Sequence, residues 1–212
     1  MTRVLVCDDH LIVRQGIKQI LADAADIEVA AEAANGPDAL AQVRAGGIDV
    51  VLLDIAMPQR DGLDILRQLK TEAPKLPVLM LSTYPDRQYA VRSLKLGAAG
   101  YLNKSADAEQ MVEAIRRVAR GGLFITPSVA ELLAGALGAP GGLGEQPLAE
   151  QLSHREFQVF RLLAAGRSVG EIAEQLVLAP NTVSTYRARI LEKTGVRNDV
   201  EMALLAVRQS LL

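Results

Sequence analysis

The chain has 212 residues, half of them hydrophobic and 23% charged, and its 23 Lys and Arg against 25 Asp and Glu leave a formal net charge of −2. That length exceeds one average domain of roughly 100 to 150 residues and suits two modest ones. No run approaches the ~18 unbroken apolar residues of a membrane helix and no signal-peptide layout opens the chain, so a soluble cytoplasmic protein with no membrane partner is expected. The single cysteine, Cys7, excludes an intrachain disulfide framework and a multi-cysteine zinc site. As a whole-chain average, the negative sum argues against nucleic-acid binding.

Five short apolar runs with turn-like ends read as strands: Val4-Leu-Val-Cys7, Ile27-Glu-Val-Ala30, Val50-Val-Leu-Leu53, Val78-Leu-Met-Leu81 and Ala99-Gly-Tyr-Leu102. Between them apolar residues recur at helical spacing, as at Ile12, Ile17, Ile20 and Leu21, at Leu63, Leu66 and Leu69, and at Met111, Val112, Ile115 and Val118. Near-continuous apolar strands alternating with helices imply a doubly wound, five-stranded parallel sheet covered on both faces, an α/β domain over 1–122. A helix is expected from about Pro127 to Leu137, followed by the Gly- and Pro-dense stretch Gly138–Pro147, so 123–147 reads as a helix and flexible linker. Residues 148–212 show no strand pattern, only short helical ones. Ser153 with Glu156, and Ser168 with Glu171, have capping-box spacing, and Gly166 and Gly195 mark helix ends. This last part reads as a small all-α domain.

In a doubly wound sheet, ligands sit at the carboxyl ends of the strands. There the first run ends in Asp8 and Asp9, the third in Asp54 and the fourth in Ser82, while Lys104 follows the fifth. Three converging carboxylates repel one another unless a cation enters, and hard oxygen donors suit a hydrated Mg²⁺. Taken singly, each Asp reads better as the N-cap of the next helix. Carboxylates, a hydroxyl and a lysine delivered together make a phosphoryl site. Cys7 reads as a small core residue, and His10 as a loop residue.

The pieces Val4-Leu-Val-Cys-Asp-Asp-His10, Leu52-Leu-Asp-Ile-Ala-Met-Pro58 with Asp61-Gly62, Leu79-Met-Leu-Ser82 and Gly97-Ala-Ala-Gly-Tyr-Leu-Asn-Lys104 resemble, in order and spacing, the receiver of a two-component response regulator of the NarL/FixJ type. The resemblance implies a flavodoxin-like receiver domain in which Asp54 is the phosphoacceptor and a sensor histidine kinase the donor. It further implies that Asp8, Asp9, Asp54 and the backbone carbonyl of Ala56 hold Mg²⁺, that Lys104 neutralises phosphoryl charge, and that Ser82 and Tyr101 report phosphorylation by moving together. The chain departs from the usual pattern at Ala56, whose side chain offers no polar group, and at Ser105, where many receivers carry proline.

In the helical part, a short helix, a turn and a second helix beginning near Pro180 are expected, with Val183, Tyr186 and Ile190 on the core face of that second helix. Asn181, Ser184, Thr185, Arg187, Ala188 and Arg189 are left facing outward. Leu152-Ser-His-Arg-Glu156, Val159–Gly166, Glu171-Ile-Ala-Glu174 and Asn181-Thr-Val-Ser-Thr-Tyr186 resemble the LuxR-type helix-turn-helix. That implies a transcription regulator that binds double-stranded DNA sequence-specifically, is a homodimer when phosphorylated, and is not an enzyme. Asn181, Thr182, Ser184, Thr185, Arg187, Ala188, Arg189 and Lys193 would contact the duplex. Ala179 and Tyr186 stand where the family commonly has serine and histidine, and Val169-Gly170 replace a polar, basic pair. From 180 to 197 four cations face one anion, and 151–212 carries eight cations against six anions, so the chain average conceals a weakly basic module. The last helix, with Val200, Ala203, Leu204, Val207 and Leu211 at helical spacing, is apolar enough to cover its domain or to pair with a second copy.

Two other readings compete. An aspartate-nucleophile phosphatase would place two aspartates with one residue between them on the first strand, whereas Asp8 and Asp9 are adjacent. A regulator acting through protein or RNA contact is favoured only by the modest basic content.

Overall fold

A computed structural model describes residues 1–57, 61–83, 86–138, 148–209 and 211, and places two compact units in the chain, Met1–Pro140 and Gly141–Leu212. In the first, β1 (Thr2–Cys7), α1 (Leu11–Ala22), β2 (Ile27–Ala33), α2 (Gly36–Ala45), β3 (Val50–Asp54), α3 (Gly62–Glu72), β4 (Val78–Ser82), α4 (Asp86–Lys95), β5 (Gly100–Asn103), α5 (Ala108–Ala119) and α6 (Pro127–Gly138) follow in order. The five strands form one parallel sheet ordered β2-β1-β3-β4-β5. The alternating strand-helix pattern therefore folds as the doubly wound sheet it implies.

The period of two along each strand divides the apolar residues between two cores. Leu5, Cys7, Val51, Leu53, Met80 and Tyr101 point to the face covered by α2, α3, α4 and α6, and Val4, Val6, Leu52, Leu79, Leu81 and Leu102 to the face covered by α1 and α5. Asn35 and Asp107 accept backbone hydrogen bonds as the N-caps of α2 and α5, at 2.9 and 2.7 Å. At α3, Asp61 caps Leu63, and Gly62 lies against the Asp54 carbonyl and 2.8 Å from Ile55 Cα once a Cβ is placed on it. The Asp61-Gly62 pair thus lets α3 start hard against the end of β3.

Two expectations are refined here. Ile12, on the helical pattern of α1, is 86% exposed, because α1 buries Ile17 and Leu21 instead. The helix expected in the 123–147 segment is α6, whose Val129 is buried beside Tyr89 and Tyr101, with Phe124 just before it tied to β5 by its amide donating to the Ala99 carbonyl at 2.9 Å. The Gly- and Pro-rich stretch beyond it, 139–147, and Pro58 of the β3 motif lie outside the described residues.

The second unit is all-helical: α7 (Leu148–Gln151), α8 (His154–Ala164), α9 (Val169–Leu176), α10 (Pro180–Thr194) and α11 (Asp199–Arg208) close around Leu152, Phe157, Phe160, Leu163, Ile172, Val183, Ile190, Met202 and Ala206. Both capping boxes form, Ser153 with Glu156 and Ser168 with Glu171, and Gly166 and Gly195 end α8 and α10 with positive φ. α10 starts at Ala179 without a side-chain cap, its Pro180 in the first helical position where no amide is needed.

Candidate functional site

The strand ends gather the expected groups at one edge of the sheet. Asp8 is buried at the end of β1, Asp54 is buried at the end of β3, and Asp9 is half-buried in the turn from β1 into α1. Lys104, directly after β5, is anchored by its amide donating to the Ser82 carbonyl at 2.7 Å. Its Nζ stands 2.5 Å from Asp8 Oδ2 and 3.0 Å from Asp54 Oδ1. One ammonium among three carboxylates leaves an excess of negative charge. Asp8 Oδ2 and Asp54 Oδ1 share that one ammonium, and Asp9 Oδ1 faces the His10 ring. Buried carboxylate oxygens in that state are costly unless another positive group serves them.

Electrostatics follow from this crowding. Burial pushes the Asp54 carboxyl above the usual aspartate range and the charge of Asp8 adds to the rise, which the Lys104 charge only partly offsets. Burial alone would lower Lys104, but the charges of Asp54 and Asp8 more than offset it and hold the ammonium above its ordinary value. Cys7, immediately before the acidic turn, is pushed up to about 12 by burial and by Asp54, so it stays a thiol packed 3.4 Å from the Met57 sulfur.

Single ligand atoms of Asp8, Asp9, His10 and Asp54 all lie within 4.8 Å of one another. The hard, anionic donor set, with three carboxylates against one ammonium, fits a hydrated divalent cation of the Mg²⁺ kind. His10, read from sequence as a plain loop residue, places Nδ1 2.9 Å from Asp9 Oδ1 and 3.3 Å from Asp8 Oδ1, and its amide donates to Asp8 Oδ1 at 2.8 Å. Sequence reading also passed over Arg14, whose Nη1 donates to the Asp8 carbonyl at 2.7 Å. Its spacing four residues after His10, one helical turn into α1, was the available signal. Ser82 is buried at the end of β4 in line with this pocket, while Tyr101 is buried in the core beneath α4 and α6 rather than lying at the pocket. Ala56 is half-buried two residues beyond Asp54.

A second candidate surface lies on α10. Val183 and Ile190 face the core and Tyr186 is half-buried, leaving Asn181, Ser184, Thr185, Ala188 and Arg189 exposed, with Thr182 and Arg187 between. The Thr185 hydroxyl bonds back to the Asn181 carbonyl at 2.9 Å. Arg187 pairs with Asp199 at 2.9 Å and Lys193 with Glu156 at 2.6 Å, so among the described residues Arg189 and Arg197 are the cations of this stretch outside ion pairs. On α11 it is Met202 and Ala206 that cover the core, while Val200, Leu204 and Val207 of the expected stripe face outward.

The family model described as "Response regulator receiver domain" matches residues 4–116, and that described as "Bacterial regulatory proteins, luxR family" matches residues 150–206. The curated "Response regulator GacA" of Pseudomonas aeruginosa is 40% identical over 212 residues, covering 100% of this chain and 98% of its own. "Response regulator UvrY" of Escherichia coli is 38% identical over 211 residues, covering 100% and 96%. Among solved structures, RcsB from Salmonella enterica serovar Typhimurium, bound to promoter rprA in the presence of phosphomimetic BeF3-, is similar with a TM-score of 0.60 at 25% identity, covering 96% of each chain.

Proposed function

The chain belongs to the response regulators that join a receiver domain to a DNA-binding domain of the luxR family, and from that premise we propose that phosphorylation of Asp54 by a sensor histidine kinase controls sequence-specific DNA binding by residues 148–212. The receiver would span 1–122, with 123–147 joining the two domains. The observation that carries this reading is the convergence of Asp8, Asp9, Asp54 and Lys104, with Ser82 at the neighbouring strand end, in one cluster where three carboxylates outnumber a single ammonium.

In this reading the Asp54 carboxylate attacks the phosphorus in line, forming its phosphorus–oxygen bond as the donor's phosphorus–nitrogen bond breaks. Mg²⁺ held by Asp8, Asp9, Asp54 and the Ala56 carbonyl would neutralise charge building on the transferred oxygens. Lys104, already 3.0 Å from Asp54, turns to the phosphoryl group and loosens from Asp8. Ser82, at the end of β4, donates its hydroxyl to a phosphoryl oxygen, and Tyr101, one strand over and packed under α4 and α6, reports the change to those helices. Leu11 and Ile12, exposed on the first turn after the acidic loop, offer apolar surface for the kinase.

On the output side, Asn181, Thr182, Ser184, Thr185 and Ala188 present a small, polar face to a major groove, with Arg187, Arg189 and Lys193 beside it toward phosphates. The ion pairs at Arg187 and Lys193 must loosen for those two to reach DNA, so monomer affinity is modest, and the outward Val200, Leu204 and Val207 support a homodimer that adds avidity. Such a protein works in the cytoplasm, and no described helix is long and apolar enough to cross a membrane.

The test uses the full chain with a small acyl phosphate and Mg²⁺, followed by selection from random duplex DNA. Wild type is expected to gain one phosphoryl group and enrich a duplex sequence more strongly when phosphorylated, whereas Asp54→Asn gains none. Labelling retained in Asp54→Asn removes Asp54 from its role, and no enriched duplex at any salt removes DNA as the partner.

A further inference from the structure

We propose that Arg14 is a positioning residue that holds the acidic turn after β1 in its cation-binding shape, acting through the main-chain carbonyl of Asp8. The inference rests on the reading of that pocket as a divalent-cation site and adds a residue to it.

Arg14 lies in the first turn of α1, where its amide donates to the His10 carbonyl at 3.2 Å. Its side chain, 13% exposed, runs back toward the sheet and divides its donors: Nη1 to the Asp8 carbonyl at 2.7 Å, Nε to Glu32 on β2 at 3.1 Å. Glu32 also takes Lys18 Nζ at 2.6 Å, and these two cations hold its carboxyl below the usual glutamate range despite the burial that opposes them. Two neighbouring elements thereby grip one peptide unit.

Asp8 is consequently fixed at every polar group. Its amide donates to the Ala33 carbonyl at 3.1 Å, its carbonyl accepts from Arg14, Oδ1 accepts from the His10 amide, and Oδ2 faces Lys104. The carbonyl is the grip that resists the mutual repulsion of Asp8, Asp9 and Asp54, because it lies on the turn itself. A guanidinium supplies two fixed, diverging donors for this, which a lysine ammonium on a single stem cannot reproduce.

Charge and geometry pull in opposite directions here, which makes the role separable. As a bare cation near a cation site, Arg14 weakens metal binding, so its removal would tighten it. As the group that fixes a ligand, its removal weakens binding, by about tenfold or more for partners standing behind a metal ligand.

The experiment compares the full-length wild type with Arg14→Ala, Arg14→Lys and Arg44→Ala. The last removes a two-pronged pair with Glu72, at 2.8 and 2.7 Å, on the outer surface of α2 and α3. Mg²⁺ affinity is measured calorimetrically without phosphodonor, and exchange of the His10 amide is followed without metal. Arg14→Ala is expected to bind Mg²⁺ about tenfold more weakly and to exchange the His10 amide faster, Arg14→Lys to show a smaller loss, and Arg44→Ala to match wild type. Unchanged or tighter Mg²⁺ binding in Arg14→Ala overturns the proposal, as does an equal loss in Arg44→Ala. If Arg14→Ala does not fold, unchanged binding in Arg14→Lys overturns it. A wild type that binds no Mg²⁺ refutes the cation site itself, and the His10 exchange rates then decide alone whether Arg14 holds the turn.

Discussion

Val177 is the one described residue other than glycine with positive φ, at φ 53° and ψ 52°, and its side chain is 91% exposed at the corner between α9 and α10. A left-handed, β-branched residue without a packing partner costs about 1–2 kcal/mol, and it persists because the corner closes α9, with the Leu178 amide donating to the Ala173 carbonyl at 2.8 Å. Val177→Gly is therefore expected to stabilise the helical unit by about 1 kcal/mol in urea unfolding of the full chain. An unmoved or lowered midpoint would mean that the side chain does more than its exposure shows. At this scale the sequence spoke where a residue's role follows from its immediate neighbours: Asp8, Asp54 and Lys104 end apolar runs, and Ser153 and Ser168 stand three before a glutamate. It was silent on Val177, since no residue type announces a left-handed corner except glycine or asparagine, and gave for Arg14 only its spacing from His10, because its meaning depends on Glu32 arriving from another strand.

Between elements, α8 and α10 are joined by one carboxylate. Glu156 accepts the Ser153 amide at 2.7 Å as half of a capping box and Lys193 Nζ at 2.6 Å from the last turn of α10. Burial pushes its carboxyl up, but the Lys193 and Ser153 bonds more than offset this, so it titrates below the ordinary glutamate value of 4.5. Because the folded value is the lower one, this stabilisation is complete above about pH 4.5 and disappears as pH falls through the folded value. Glu156→Gln keeps a cap of similar shape but loses the charge. It should lower stability at pH 7 by about 1 kcal/mol and flatten the acid limb of the helical unit's stability curve; an unchanged acid limb would refute the role of this pair. The helices themselves were legible, because a 3.6-residue period is local. Which apolar stripe turns inward was not: Val200, Leu204 and Val207 of α11 form as good a stripe as Met202 and Ala206, and only α8, packed against the latter, selects between them.

Across the described residues, three cores serve two units, one on each face of the sheet and one among the five C-terminal helices. Unfolding should then resolve into two transitions, and Gly62→Ala should move only that of the first unit. A Cβ there meets the backbone of Asp54 and Ile55, an overpacking worth about 1–3 kcal/mol. A shift of both transitions together would show that the units unfold as one. Composition and element order made the two-part plan readable, since a parallel sheet and an all-helical module leave different periodicities; the placement of α6 against α4 and β5 was not readable, because its apolar residues fit a free helix equally well. The sheet order β2-β1-β3-β4-β5 also carries a consequence for synthesis. Asp8, Asp54 and Lys104 meet only after β5 has joined β4, so no fragment ending before that strand has an acceptor pocket. A ribosome that has released the first unit has still to finish the second, a gap of a few seconds at elongation rates of roughly 5 to 20 residues per second. Under the proposed function, a nascent chain in that interval would accept a signal that it has no means yet of delivering.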